Sequence, residues 1–345
     1  MRRYDHGGDI YGNTDVALDF SVNTNPLGMP QGVKRALAAC VPDYECYPDP
    51  HCWELTAALA AYHRVTEEMI LCGNGAADLI FRICAALKPR HVLVTAPSFS
   101  EYERAAALFG GEIRKLRLEE QEGFALTDRI LDTLTPDLDM LFLCNPNNPT
   151  GRLADPILLS RIADKCEQNG IYIVLDECFI EFTDAESMIS LLESHPHLMI
   201  LRAFTKLYAM AGLRLGYLLC VDAALLWEIG RFAQTWSVSV PAQIAGLAAL
   251  AETGCAEKTR RSIREERAYM AHALTSLGLQ VLQSDANFLL IKSKIPLYEP
   301  LLEHGILVRN CANFSGLNEH YIRVGLKTRD KNEILLIAMS EVLHG

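Results

Sequence analysis

Arg202-Ala-Phe-Thr-Lys-Leu-Tyr-Ala-Met-Ala-Gly-Leu-Arg-Leu-Gly-Tyr217 decides how the rest of the chain is read. The apolar run His197-Leu-Met-Ile-Leu-Arg-Ala203 leads into it and predicts a strand, so Thr205 and Lys206 fall just beyond that strand. Loops at the carboxyl ends of strands are where α/β folds display their chemistry. Lys206 offers an amine able to form a Schiff base. Thr205 and Arg214, the latter inside Gly-Leu-Arg-Leu-Gly, offer a hydroxyl and a guanidinium suited to a phosphate. Together they suit a phosphorylated aldehyde.

Working outward, the alternation of short apolar runs with helical stretches sets the fold class. Strand candidates are Met69-Ile-Leu-Cys72, His91-Val-Leu-Val-Thr95, Asp139-Met-Leu-Phe-Leu-Cys144, Ile171-Tyr-Ile-Val-Leu-Asp176, His197–Leu201 and Gly216-Tyr-Leu-Leu-Cys220. Helical periodicity lies between them, as at Ala76–Leu87 and Asp155–Asn169. Continuous Val/Ile/Leu runs separated by helices predict an α/β fold with a mostly parallel sheet covered on both faces. Longer helices follow from Asp222 to Leu277, then short strand signals at Asn287-Phe-Leu-Leu-Ile291 and Tyr321-Ile-Arg-Val324. The expected division is a large domain over 41–225, a smaller α+β lobe over 226–345, and an N-terminal arm over 1–40 packing on that lobe.

Composition narrows the function classes. At 345 residues, half of them hydrophobic and 22% charged, the chain reads as globular with a sizeable core. A net charge of -11 argues against nucleic acid or an anionic membrane as partner. An anionic substrate must then be drawn in by particular arginines. The eleven cysteines include no Cys-x-x-Cys pair, and Cys72, Cys84, Cys144 and Cys220 sit within apolar runs, as small hydrophobes do. No disulfide framework or metal site is expected; the ten histidines show no ligand spacing. The odd cysteine count, with neither a signal peptide nor a long apolar segment, predicts a reduced cytoplasm.

Three further motifs fit the chemistry of Lys206. Gly73-Asn-Gly-Ala-Ala-Asp78 opens a helix whose first N–H groups suit a phosphate, although a bare helix-entry turn is the commoner use of such glycines. Asn145-Pro-Asn-Asn-Pro-Thr-Gly151 follows a buried strand and forces a rigid turn. Asp176 ends the next strand; a buried carboxylate there needs a cationic or donor partner, which a protonated pyridine nitrogen supplies. Alone, Asp176 fits a cap equally well. The set as a whole points to pyridoxal phosphate (PLP).

In this order, Asn145–Gly151, Asp176-Glu-Cys-Phe179 and the Lys206–Arg214 segment resemble the fold-type I PLP enzymes of aminotransferase class I/II, over nearly the whole chain. The resemblance implies Lys206 as the catalytic Schiff-base lysine and proton carrier. It places Asp176 on the pyridine nitrogen, Asn148 on the ring's phenolic oxygen, and Phe99 stacked on the ring. Thr205, Arg214 and the amides of Ala76 and Ala77 would take the cofactor phosphate. Tyr47-Pro-Asp-Pro50 is similar to the segment by which histidinol-phosphate aminotransferases send a tyrosine to the neighbouring subunit's cofactor phosphate. That implies a homodimer with shared sites, with Tyr47 acting in its partner.

Within this group, His6-Gly-Gly-Asp-Ile10, Asp19-Phe-Ser-Val-Asn-Thr-Asn-Pro-Leu-Gly28 and Ile306-Leu-Val-Arg-Asn-Cys-Ala-Asn-Phe-Ser-Gly-Leu317 look like the L-threonine-O-3-phosphate decarboxylases of cobalamin biosynthesis. Phe179 points the same way, standing where the aminotransferases usually carry tyrosine; Val22 departs from the small residue common in the decarboxylase motif. The resemblance implies a phosphorylated amino-acid substrate held by His6, Gly7, Asn23, Arg309 and Arg323. Arg323 would take the α-carboxylate, and Arg309 with His6 the phosphate. An aminotransferase acting on histidinol phosphate or another amino acid is the alternative. A non-catalytic PLP sensor fits least, because Lys206 and every cofactor group are kept.

Overall fold

The computed structural model describes residues 6–13 and 15–344. Among these described residues thirteen strands form three sheets. Within the N-terminal arm lies β1 (Leu18–Asp19). The large sheet holds β2 (Ile70–Gly73), β3 (His91–Ala96), β4 (Glu112–Arg117), β5 (Met140–Cys144), β6 (Tyr172–Asp176), β7 (Leu198–Ala203) and β8 (Gly216–Leu219). Their spatial order is β2-β8-β7-β6-β5-β3-β4. Only β8 runs against its neighbours, pairing antiparallel with both β7 and β2.

The residues explain this arrangement. Every residue of β5, β7 and β8 is buried, as strands covered on both faces require. Strand β4, Glu-Ile-Arg-Lys-Leu-Arg, sits at the sheet edge, where charged side chains remain solvated and discourage further pairing. The crossover helix Pro156–Asn169 begins with Asp155 accepting from the Ile157 N–H and Pro156 in its first turn. It ends at Gly170, whose φ of 68° continues the chain into β6. Because β2, β3, β5, β6 and β7 are parallel, their carboxyl ends open on one edge of the sheet. The motifs around Gly75, Phe99, Asn148, Asp176 and Lys206 all lie there.

The second sheet, β12-β13-β10-β9, is antiparallel and comprises β9 (Gln280–Val281), β10 (Phe288–Lys292), β12 (Arg309–Asn310) and β13 (Tyr321–Gly325). Between them, β11 (Ile306–Leu307) pairs in parallel with β1. The arm continues past that pairing: the Phe20 N–H donates to Leu307 O, and Phe20 O accepts from Gly325 N. It also reaches the large sheet's loops, where Asn25 N donates to Lys206 O (2.9 Å) and Asn25 Nδ2 to Leu207 O (2.7 Å). One apolar cluster runs from Leu141 and Ile173 through Ile263 to Phe288 and Val324, joining the two larger sheets through a shared core. Among the described residues no helix is long and apolar enough to cross a membrane, no group could hold a metal, and all cysteines are free.

Candidate active site

Eight of the residues singled out from sequence line one cavity at the carboxyl edge of the large sheet: Ala76, Ala77, Phe99, Asn148, Asp176, Thr205, Lys206 and Arg214. The cavity measures about 120 Å³ and also meets Tyr102, Cys144, Cys178, Phe179 and Ala203. Lys206 sits in a four-residue helical turn, Phe204–Leu207, directly after β7. Burial pushes its amine down from the ordinary 10.5 to about 8, with Arg323 and Arg214 contributing and Cys178 and Asp176 opposing. A larger fraction of neutral amine is therefore present near neutral pH than in an exposed lysine. The amine also lies 5.6 Å from the Phe179 ring centroid.

Asp176, only 5% exposed, ends β6 with both carboxylate oxygens engaged. Oδ1 accepts from the Cys178 N–H at 2.9 Å, and Oδ2 from the Tyr102 hydroxyl at 2.6 Å. At the helix end of the cavity, Gly75 precedes the helix Ala76–Leu87 with a φ of 84°. A Cβ there would come within 2.7 Å of Arg214 Nη2. Glycine thus lets the guanidinium lie against the helix N-terminus, where Ala76, Ala77, Thr205 and Arg214 line the same cavity.

The substrate candidates lie next to this cavity. Arg323 on β13 donates from Nη1 to Asn148 Oδ1 and from Nη2 to Ser21 O at 2.7 Å, while its Nε meets no partner among the described residues. Asn148 thereby turns its carbonyl to Arg323, which leaves its NH2 as the donor. In the β12–β13 ladder Arg309 stands directly opposite Arg323, and both are buried. Arg309 donates to Asn310 O and Asn313 Oδ1. Burial first, and then the charge of Arg309, lower Arg323 to about 10. Two like charges across a ladder repel each other, so this pair favours an anion between or beside them.

The arm residues are placed differently from one another. His6 bonds Glu101 at 2.8 Å, with its ring 6.0 Å from that of Phe99. Gly7 packs on Ser21 so closely that a Cβ would meet the Ser21 carbonyl oxygen at 2.3 Å. Asn23 is buried; its backbone carbonyl accepts from Asn287, and its Oδ1 meets no hydrogen-bond partner among the described residues. Tyr47 does not line the cavity: it is 77% exposed and stacks on Trp236 at 4.2 Å.

Two groups of the site have partners that the motifs quoted above do not assign. Tyr102 reads as an ordinary helix aromatic, and only the fold brings its hydroxyl to Asp176. Arg202 and Glu177 form a buried ion pair at 3.0 Å, and Arg202 also meets Glu181 at 3.2 Å. This pair ties the end of β6 to β7 just before Lys206. Two charges at the ends of neighbouring buried strands were the available signal, since neither can be left unpaired.

The aminotransferase class I and II family model matches residues 15–338. The chain belongs to that family. It is 45% identical over 352 aligned positions to the threonine-phosphate decarboxylase of Salmonella typhimurium, covering 99% of this chain and 97% of the relative. Among solved structures it resembles L-threonine-O-3-phosphate decarboxylase from Porphyromonas gingivalis, with TM-score 0.85 and 26% identity over 95% of this chain and 100% of that one. It also resembles histidinol-phosphate aminotransferase from Clostridium acetobutylicum, with TM-score 0.88 and 29% identity over 94% and 99%. The fold is accordingly that of the α/β, fold-type I PLP-dependent transferases. PLP is the cofactor of this group, and the cavity fits it: an amine of lowered basicity, a buried carboxylate facing the space, and a phosphate cradle that a Cβ at Gly75 would fill.

Proposed function

We propose that this protein decarboxylates L-threonine O-3-phosphate to (R)-1-aminopropan-2-yl phosphate, a PLP-dependent step of cobalamin biosynthesis. The observation that carries the reading is the cross-strand pair Arg309–Arg323, which offers two buried guanidinium groups to a substrate with two anionic ends. Arginine suits both tasks, since its planar fork binds carboxylate and phosphate in two-point fashion. Arg323, beside Asn148, takes the α-carboxylate nearest the cofactor ring; Arg309 takes the phosphate, with His6, Gly7 and Asn23 closing the arm side.

Lys206 would hold the cofactor through its amine, Asp176 would pair with the ring nitrogen, Asn148 would donate to the phenolic oxygen, and Phe99 would cover the ring. Thr205, Arg214 and the amides of Ala76 and Ala77 hold its phosphate. Once bound, PLP supplies an electron sink for the pair released when a bond to Cα breaks. The chain's own residues choose that bond. With both anionic ends fixed by arginine, the Cα–carboxylate bond would be the one positioned to break, and carbon dioxide would leave, its bonding pair passing to that sink. Lys206 then delivers a proton to Cα.

The active unit is a homodimer in the cytoplasm, in which Tyr47 of each subunit reaches the cofactor phosphate of the other. The exposed aromatic side chains of Tyr47, Trp53, Trp227 and Trp236 support an apolar contact of this kind, and eleven free cysteines suit a reducing compartment.

The test is incubation of PLP-loaded protein with threonine phosphate and no keto acid. Many turnovers of carbon dioxide, with the cofactor recovered as its aldehyde, are expected. A single turnover that leaves the cofactor in its amine form refutes the decarboxylase reading in favour of an aminotransferase.

A further inference from the structure

The Tyr102 hydroxyl has a role that the cofactor site described above does not assign. Tyr102 is fully buried in the first turn of the helix Glu101–Leu108. Its ring is stacked on Phe142 of β5 (centroids 5.1 Å apart, planes 9° apart) and meets Phe99 edge to face at 5.5 Å. Two aromatic contacts on different elements thus fix where the hydroxyl points, and it points at Asp176 Oδ2. With the Cys178 N–H on Oδ1, the carboxylate has a donor on each oxygen and no freedom to turn its plane.

We propose that Tyr102 is a positioning residue that sets the orientation and the effective charge of Asp176 toward the PLP ring nitrogen. The inference rests on the PLP reading of the site and goes beyond it. A carboxylate that is to pair with a ring nitrogen would need a fixed orientation, and the donors on its two oxygens, Tyr102 and the Cys178 N–H, supply it. The same donor draws off part of the negative charge, which weakens the field acting on the Lys206 amine. Burial and the adjacent Asp176 charge hold the phenol well above its usual range, so it remains a donor throughout the working pH range. The groups acting on Lys206 are Cys178, Arg323, Arg214 and Asp176; those acting on Tyr102 are Asp176 and Cys144.

Tyr102→Phe keeps the ring and its two aromatic contacts and removes only the hydroxyl. PLP binding to the apo protein, followed by fluorescence titration, should weaken about tenfold, the scale of a hydrogen bond to a charged group. In the holoenzyme, the pH at which the visible absorbance changes should move upward by roughly half a unit, because the Asp176 charge is less compensated. Turnover should fall while KM stays within about twofold, since substrate is held by Arg309 and Arg323. In an Asp176→Asn background the same substitution should change PLP affinity less than about twofold, as coupling through Asp176 requires. Wild-type PLP affinity and an unshifted absorbance profile in Tyr102→Phe would overturn the inference, as would equal losses in both backgrounds or a Tyr102→Phe protein that fails to fold. If the wild-type protein itself gives no PLP-dependent absorbance, the cofactor reading fails instead.

Discussion

Replacing Lys206 by methionine should stabilise the apo protein. The fall of the amine from 10.5 to about 8 means that the folded state binds this proton less tightly than the unfolded chain does. Below pH 8 the lysine is charged in both states, and the folded protein bears the full cost of holding an ammonium in the cavity. At roughly 1.4 kcal/mol per pH unit the cost is about 3 kcal/mol. This is a ceiling, because the side chain is partly open to the cavity and water there screens it. Methionine of similar length removes the charge and keeps most of the packing, so the expected gain at pH 7 is about 2 kcal/mol. The sign with pH follows. As pH rises from 8 to 10.5 the wild-type amine loses its proton in the folded state first, wild-type stability climbs, and the advantage of methionine shrinks to about 1 kcal/mol near pH 9.5. Urea unfolding of both apo proteins at matched concentration, at pH 7 and 9.5, measures the difference, and groups common to the two proteins cancel. A methionine variant no more stable than wild type at pH 7, or an advantage independent of pH, would refute the argument that burial controls this amine.

Two further outcomes follow from the same geometry. Gly75→Ala puts a methyl within 2.7 Å of Arg214 Nη2 at a φ of 84°, so the guanidinium must retreat from the phosphate cradle; PLP affinity by titration should drop by about tenfold or more, and thermal stability should fall by roughly 1–3 kcal/mol. Arg323→Lys loses the two-point grip and the contact to either Asn148 or Ser21 O; KM for threonine phosphate should rise about tenfold to a hundredfold, while PLP absorbance keeps its wild-type form.

Much of the large sheet was legible because buried parallel strands carry uninterrupted apolar runs. Strands β3, β5, β6 and β8 fall within a residue of the expected spans, and the helix Ala76–Leu87 matches end to end. Strand β7, Leu198–Ala203, lies within the apolar run His197–Ala203 and ends at the same residue. Strand β4 was missed because an edge strand with one solvated face reads as polar, and β9, β11 and β12 are two residues each, too short for any period to show. The gathering of Asp176, Asn148 and Lys206 in one cavity was legible for a different reason: each lies at or just past a strand end, so finding the strands located the residues. Tyr102 was not, since its contact with Asp176 spans 74 positions and depends on stacking between separate elements. Nor was the pairing of Arg309 with Arg323, which depends on a register formed across a loop of irregular chain.

The pairing of β1 with β11 joins residues 18–19 to residues 306–307, and Asn25 is fastened to the carbonyls of Lys206 and Leu207. During synthesis the large sheet has all its strands once residue 219 has emerged, whereas the arm made at the start has no partner strand until the chain is nearly finished. The cavity around Lys206 can therefore be built early, but the wall formed by the arm and the second sheet closes last, when the two ends of the chain meet.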